Sequence, residues 1–330
     1  MPVLLHRSSP GGQIAFRRAT AIVATLVLMG ALSACFPSAP VAQLAPVEHS
    51  QFEGFDVVSS IPHHPQGLVF LFHGHYGSAN FAEKVETVDA LNRLTVRGYG
   101  YVSTDSTDRV NKQWDRDDIS LTTNPDLARL ARLHAHLVAT DVIRADTPIL
   151  AIGMSNGGAF TSVFTTAFAA GGYPVRAAWV SNAPITAAVR LAGGLRVPTI
   201  FTVAENDSVV STPQIVRQQA ELAAAGIRTA LYTQTEASLN PQRFRRIPGI
   251  DAGEALAFFH AEVATGAWDA AGHRTATTVA EAVRLANTVA LPASVQGDAR
   301  NIENQVAITL AEHAFSATYA NEAVAFLTAD

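Results

Sequence analysis

From residue 52 onward, short apolar runs alternate along the chain with longer segments whose apolar positions recur at helical spacing. The apolar runs that predict strands are residues 67–72, 100–103, 148–152, 177–180, 199–203 and 229–233. Most of these runs lack an apolar–polar alternation, as do strands that are covered on both faces. Strands that alternate with helices are typical of α/β proteins. The pattern therefore predicts an α/β fold in which helices flank a mostly parallel central sheet.

The clearest predicted helix lies between the second and third apolar runs. Asn124 is a favourable N-cap, and Pro125 fits the first helical position. The residues that follow form a rough apolar stripe at helical spacing, Leu127, Leu130, Leu133 and Leu137. This segment is predicted to be the crossover helix between two parallel strands.

The alternation of apolar runs and helical segments ends after residue 233. Residues 236–312 contain helical patterns at 252–265, 277–290 and 304–311 and no convincing strand. A segment of this length is too long for a structureless loop in a compact domain. We expect a helical insertion or cap that packs against the sheet edge, before a last amphipathic helix at 319–327.

The first residues have the pattern of an export signal. Arg7, Arg17 and Arg18 precede an uncharged apolar run, residues 19–34, which is shorter than the about 20 residues that span a bilayer. The run ends in Leu-Ser-Ala before Cys35, and this ending resembles the lipobox of bacterial lipoproteins. The resemblance implies that residues 1–34 are removed and that Cys35 carries diacylglycerol, with a further fatty acid such as palmitate on the new amino terminus. An ordinary secretory signal or an uncleaved anchor is the alternative.

The resemblance to lipoproteins also implies a location and a domain boundary. Residues 35–50 contain three prolines among small residues and are predicted to tether a folded domain, residues 51–330, to the lipid. The protein would then be anchored in a bacterial cell envelope, on the periplasmic face of the outer membrane or on the extracellular face. The membrane would be reached through this anchor.

The amino-acid composition excludes several classes of protein and of function. The chain of 330 residues is 48% hydrophobic and 15% charged, which excludes a disordered protein or a coiled coil. Its formal charge is −5, and becomes −8 without the three arginines of residues 1–34. No window is rich in basic residues with interleaved aromatic ones, so nucleic acid is not an expected partner. A single cysteine excludes an intrachain disulfide or a cage of thiolates around a metal.

The third apolar run leads into the sequence GMSNGG at residues 153–158, which matches the pattern G-x-S-x-G. A helical stretch, residues 159–170, follows directly. A nucleophilic serine in such a strand–turn–helix occupies a strained turn, and the glycines leave room for the tight passage from strand to helix. The helix N-terminus directs its free N–H groups to the place where negative charge would develop. Ser155 is therefore the predicted nucleophile.

The first apolar run ends in HGHYG at residues 73–77, and with this segment the chain resembles the α/β-hydrolase superfamily. The resemblance covers about residues 65–235 and the C-terminus. It implies an oxyanion hole made by the backbone N–H of Asn156 and that of His75 or Tyr76. The segment departs from the glycine-rich HGGG form, so His75 and Tyr76 both remain candidates. His73 and His75 could form a pair of metal ligands, but no third ligand follows at a spacing typical of metal sites. Neither a metal nor another cofactor is therefore expected.

The superfamily order along the chain is nucleophile, acid and histidine. The polar turn after residues 199–203 offers Glu205 and Asp207 as the acid. Asp207 fits the resemblance better, because the superfamily commonly has an Asp two to four residues past this strand with an apolar residue, here Val209, after it. This acid would hold the tautomer of the histidine and stabilise the imidazolium.

Three histidines follow the acid in the chain. His260 lies in an apolar helical run, and His273 lies in a turn after Gly272. His313 precedes Ala-Phe and the last predicted helix, an ending that resembles the C-terminus of the superfamily. His313 is the preferred base, His273 the alternative.

Together these residues predict a serine hydrolase that cleaves carboxylic esters through an acyl-enzyme, using Ser155, Asp207 and His313. The preference for esters comes from the resemblance. The turn at residues 153–158, called the elbow below, is similar to those of polyhydroxybutyrate depolymerases and feruloyl esterases. The substrate would be a small or polymeric ester. A serine peptidase or amidase with the same triad is one alternative, and a binding lipoprotein with a silent triad is another.

Overall fold

The computed structural model describes residues 46–329 of the chain. The predicted signal segment, Cys35 and the tether up to residue 45 lie outside the described residues. No helix within residues 46–329 has the length and apolar character needed to cross a membrane.

One eight-stranded sheet forms the centre of the domain, in the order β1-β2-β4-β3-β5-β6-β7-β8. The first two strands run antiparallel to their neighbours, and all other pairs are parallel. The strands are β1 (Glu48–Phe52), β2 (Phe55–Ser60), β3 (Gly67–Phe72), β4 (Tyr99–Thr104), β5 (Ile149–Met154), β6 (Val175–Ser181), β7 (Thr199–Ala204) and β8 (Thr229–Gln234).

Helices cover both faces of the sheet. They are α1 (Val85–Thr95), α2 (Pro125–Ala139), α3 (Asn156–Ala170), α4 (Ala187–Leu191), α5 (Thr212–Ala224), α6 (Pro241–Arg245), α7 (Ala252–Ala264), α8 (Val279–Ala286), α9 (Ala299–Thr309) and α10 (Ala320–Thr328). Short 3₁₀ helices lie at Ala79–Glu83 and Ala293–Asp298.

The alternation of side chains along the strands divides the apolar core in two. In β3, Phe70 packs in one core with α2, α3 and α5, whereas Leu71 packs in the other core with α1 and α10. Because both faces are covered, all six residues of β3 are buried, as the continuous apolar run predicted. The prediction of an α/β fold with a mostly parallel sheet between helices is confirmed.

The sequence pattern missed the two antiparallel strands. Strand β1 begins at Glu48, within the residues predicted to be a tether, so the folded part begins earlier than residue 51. This edge strand has the sequence EHSQF and is mostly exposed, and for that reason it carries no apolar pattern. Strand β2 has only two fully buried apolar residues, Val57 and Val58.

The predicted helical insertion corresponds to helices α6–α9 in the structure. These helices enclose a third apolar core, which includes Phe244, Phe258, Trp268 and Ile302. The buried carboxylate of Glu86, on α1, joins this insertion to the rest of the domain. It accepts hydrogen bonds from Arg246 at 2.5 Å, from Gln305 at 3.0 Å and from the backbone N–H of Ala317 at 2.7 Å.

Candidate active site

Three adjacent strands bring the predicted residues to one edge of the sheet. Ser155 follows β5 and Asp207 follows β7, with β6 between these two strands. Because parallel strands end at the same edge, both residues lie at the carboxyl edge of the sheet, where α/β proteins bind their ligands.

Ser155 stands at a strained turn between β5 and α3. Its backbone has φ 58° and ψ −123°, and its N–H donates to the carbonyl of Ser181 at 3.0 Å. A Cβ at Gly157 would lie 2.2 Å from the Phe72 carbonyl oxygen, and one at Gly153 would lie 2.2 Å from the Gly157 carbonyl oxygen. Larger residues at Gly153 and Gly157 would therefore collide with the backbone. The close packing around the turn holds it in its strained conformation.

The structure brings Asp207 and His313 together. The Nδ1 of His313 lies 2.7 Å from Oδ2 of Asp207, whose side chain is fully buried. The other carboxylate oxygen of Asp207 accepts the backbone N–H groups of Val209 and Val210, each at 2.8 Å. When His313 donates from Nδ1, its Nε2 is the basic nitrogen. This Nε2 is buried and has no hydrogen-bond partner among the described residues.

Two side chains that sequence reasoning missed hold the loops of Asp207 and His313 to each other. Oε1 of Glu312 accepts the N–H of Ser208 at 2.7 Å and that of His313 at 2.8 Å. Asn206 donates through Nδ2 to the Leu310 carbonyl at 2.8 Å. A carboxylate beside a candidate histidine was visible in the sequence, but its contact with a loop about 100 residues away was not.

Asn182, also missed, connects all three loops. It follows β6 with φ 45°, a conformation that asparagine tolerates better than most residues. Its Nδ2 donates to the carbonyl of Ala314, next to His313, at 2.8 Å, and its Oδ1 accepts the N–H of Ala204 at 2.9 Å. Its neighbour Ser181 accepts the N–H of Ser155. Asn182 thus links the histidine loop to the strand ends that carry Ser155 and Asp207.

The geometry separates the two candidates for the second oxyanion donor. The N–H of Tyr76 already donates to the Asn111 carbonyl at 3.2 Å, whereas the N–H of His75 has no acceptor among the described residues. Asn156 is the first residue of α3, where backbone N–H groups lack acceptors within the helix. Of the three predicted donors, the N–H groups of Asn156 and His75 are thus without a backbone acceptor in the part of the chain that the structure describes.

The side chain of Asn156 has a second contact. It accepts the N–H of Trp114 at 2.8 Å and so holds the loop after β4 against the elbow. The same loop is fixed from the other side by the buried carboxylate of Asp126, which accepts the N–H groups of Thr107 and Asp115, both at 2.7 Å. Burial raises the pKa of Asp126, and these hydrogen bonds act in the opposite direction.

His73 has a structural place rather than a catalytic one. It is buried, its Nε2 accepts the N–H of Ser106 at 3.3 Å, and its Nδ1 lies 2.8 Å from the Gly74 carbonyl. Burial lowers the pKa of His73 to about 4, so the ring is neutral at pH 7.

The other acid and base candidates lie on the surface and are not paired with one another. Glu205 and His260 are exposed. His273 is exposed and pairs with Asp269 of its own turn at 3.3 Å. Within residues 46–329 no group of three or more His, Cys, Asp or Glu side chains lies together as a metal site would require.

A cleft of about 630 Å³ opens beside the elbow. Its wall near Ser155 is formed by Gly74, His75 and Met154, and its wall near His313 by Ala314 and Phe315. The opposite wall comes from α9 of the insertion and from the start of α1. The cleft is large enough for a small organic substrate.

No protein-family model matches the chain, and no curated protein matches it. Among solved structures, the chain is similar to an arylesterase, with 15% identity, a TM-score of 0.41 and coverage of 60% of this chain and 77% of the other. It is also similar to a Pyrobaculum calidifontis esterase, with 16% identity, a TM-score of 0.43 and coverage of 59% and 76%. An acetyl xylan esterase from Aspergillus awamori has 11% identity, a TM-score of 0.42 and coverage of 55% and 80%. At these values the similarity carries no argument about activity, and function has to be argued from the site.

Proposed function

We propose that this protein is a serine hydrolase that cleaves carboxylic esters, with Ser155 as nucleophile, His313 as base and Asp207 as its acid partner. The observation that carries the proposal is the hydrogen bond of 2.7 Å between His313 and the buried Asp207, at the same sheet edge as the strained Ser155 turn. Nucleophile, base and orienting acid on three separate loops form the recurring arrangement of serine hydrolases.

In the first half of the reaction, Oγ of Ser155 attacks the ester carbonyl carbon while Nε2 of His313 takes the hydroxyl proton. The carbonyl oxygen becomes an oxyanion that accepts hydrogen bonds from the N–H groups of Asn156 and His75. The carbon–oxygen bond of the ester then breaks, the imidazolium of His313 gives its proton to the leaving alkoxide, and an acyl-serine remains.

In the second half, His313 removes a proton from a water molecule, and the resulting hydroxide attacks the acyl-serine. The acyl–oxygen bond to Ser155 breaks, the serine regains a proton from His313, and the carboxylic acid leaves. Asp207 stays ionised throughout and stabilises the imidazolium. Hydrogen bonds between Nε2 and the serine are often long without substrate, which agrees with the unpartnered Nε2 of His313.

The proposal extends to the location of the enzyme. The lipobox-like ending before Cys35 supports a lipid anchor, and residues 36–45 would connect it to the first described residues. Several acyl chains give stable membrane binding, whereas one chain alone binds only marginally.

The test is hydrolysis of p-nitrophenyl acetate and p-nitrophenyl butyrate by the full chain in detergent, compared with aminoacyl p-nitroanilides. We expect the esters to be hydrolysed, and Ser155→Ala to lower kcat by about 10⁴-fold or more. Faster cleavage of the anilides would show that the protein is an amidase rather than an esterase. Equal ester hydrolysis by the wild type and Ser155→Ala would contradict the mechanism.

A further inference from the structure

The cleft beside the elbow has an unusual set of charges. Arginine supplies almost all the basic side chains of this chain, and only two lysines occur in its sequence, Lys84 and Lys112. Both line this cleft, Lys84 at the start of α1 and Lys112 in the loop after β4. Two separate segments therefore place both lysines of the chain at one cavity.

A third cation comes from the insertion. Arg300, on α9, lines the same cleft. None of these three side chains forms an ion pair or a hydrogen bond with another side chain of residues 46–329. Many other arginines of the domain are paired with carboxylates, as Arg132 is with Glu53.

The carboxylates that line the cleft do not balance these cations. Glu86 is buried, and Arg246 already pairs with it at 2.5 Å. Glu303 is exposed and is the other lining carboxylate. Three unpaired cations thus face one free carboxylate, in a protein whose formal charge is negative overall.

The remaining polar lining adds neutral hydrogen-bonding groups. Asn80 and Asn304 line the cleft, as does Gln305, whose buried Oε1 has no hydrogen-bond partner among the residues that the structure describes. Such groups can hold a polar substrate in place, but they do not neutralise cations. An anion is the ligand that complements unpaired lysines and an arginine in a partly enclosed cleft.

We propose that this cleft binds a carboxylate of the substrate, so that the preferred substrates are esters that carry a free carboxylate in the same molecule. The inference rests on the proposed esterase function and adds the substrate class. Lys84, Lys112 and Arg300 would bind the carboxylate while the ester carbonyl lies at Ser155, because the cleft extends from the elbow to all three cations.

The test compares matched pairs of esters that differ in one charge. In the first pair the charge is on the acyl side. The anionic ester is the mono-p-nitrophenyl ester of suberic acid, and its neutral partner has a primary amide in place of the free carboxyl group. The other has it on the alcohol side, 4-acetoxybenzoate and 4-acetoxybenzamide. The measured quantity is the ratio of kcat/KM for the anionic ester to that for its neutral partner, at low and at high salt.

We expect this ratio to exceed about 10 in at least one pair at low salt, the size of effect that a charged hydrogen bond produces. The difference should lie mainly in KM and should shrink at 1 M salt, where charges are screened within about 3 Å. In the double variant Lys84→Gln and Lys112→Gln the ratio should fall close to 1.

The matched control removes two positive charges elsewhere. Arg190 and Arg284 are exposed, lie outside the cleft and have no side-chain partner among the described residues. The double variant Arg190→Gln and Arg284→Gln has the same net charge as the lysine variant and should keep the wild-type ratio. A ratio that falls equally in both double variants would contradict a local site and indicate only long-range attraction.

The outcomes separate this inference from the proposed function. If the wild type hydrolyses neutral and anionic esters equally well, the substrate class is wrong and the esterase function stands. If it hydrolyses neither member of either pair, nor p-nitrophenyl acetate, the proposed function itself is wrong.

Discussion

At the scale of single residues, the proposed nucleophile Ser155 is held in a strained turn between β5 and α3, with φ 58°. The G-x-S-x-G pattern has a steric cause, because side chains at Gly153 and Gly157 would collide with backbone atoms. Because this cause is local, the pattern can be recognised from a few consecutive residues of the sequence. Asp207 and His313 were placed by resemblance and chain order, and the structure brings these two together while it leaves Glu205 and His273 on the surface.

The residues that sequence reasoning missed act over long separations. Asn182 lies in a turn that looks like many other polar turns, and its contact with Ala314 joins residues far apart in the chain. Glu312 was visible only as one more acid in an insertion. Such roles depend on which loops meet in space, and a single sequence does not contain that information in any local pattern.

A buried acid outside the site gives a prediction about stability. Glu262, on α7, lies in the core of the insertion, and its Oε2 has no hydrogen-bond partner within residues 46–329. Burial raises the pKa of Glu262 to about 8. Because its pKa is higher in the folded protein than in the unfolded one, the folded state holds the extra proton. The contribution of this group to stability is therefore full below the unfolded pKa and is lost as the pH rises through about 8.

The variant Glu262→Gln cannot ionise and should escape this loss. We expect its Tm to exceed that of the wild type by about 5 °C at pH 9, with the difference closing at pH 5. Glu322→Gln, at an exposed position on α10, is the control. A constant difference between Glu262→Gln and the wild type across this pH range would show that ionisation of Glu262 is not the cause.

At the scale of elements, the sequence predicted the six strands with apolar runs and missed the two at the antiparallel edge. Strands β3–β7 are predictable because burial on both faces requires continuous apolar residues. The edge strand β8 is mostly half-buried but still carries an apolar run. Strand β1 is exposed and polar, and it is held by backbone pairing with β2, which leaves no mark in composition. The sequence predicted the helices of the insertion, but it did not predict their hydrogen bonds to Glu86.

The loops at the ends of β5, β6 and β7 form one unit through Asn182, and this gives a prediction about catalysis. Asn182→Gly keeps the positive φ accessible but removes the bonds to Ala314 and Ala204. Because His313 is next to Ala314, we expect kcat for p-nitrophenyl butyrate to fall about 10- to 100-fold, as small displacements of catalytic groups do. KM should change less than kcat, since the cleft does not include Asn182.

Asp141→Gly is the matched control for this variant. Asp141 also has a positive φ, 58°, but it precedes β5 and so lies at the edge of the sheet opposite to Ser155. We expect its kcat to equal that of the wild type. An Asn182→Gly variant with unchanged kcat, or one whose loss of activity follows only from a lower folded fraction, would rule out a positioning role.

At the scale of the whole molecule, the proposed protein is a hydrolase domain held at a membrane by a lipid anchor. The anchor is argued from residues 1–35, which lie outside the described residues, and it can be tested separately. We expect Cys35→Ser to lose incorporation of labelled palmitate and to move from the membrane fraction to the soluble fraction. Ser33→Ala, which keeps a small residue before the cysteine, should behave as the wild type. A Cys35→Ser variant that remains palmitoylated would exclude lipidation at this residue.

The central claim is that Ser155 is a nucleophile activated by His313 and Asp207. Its most direct test is the reaction of the full chain with a fluorophosphonate, followed by mass-spectrometric mapping of the modified peptide. We expect one adduct, on Ser155, formed by the wild type and by His273→Ala, and slowed by about 10³-fold or more in His313→Ala. An adduct on another residue, or equal reaction rates in the wild type and in folded His313→Ala, would contradict it.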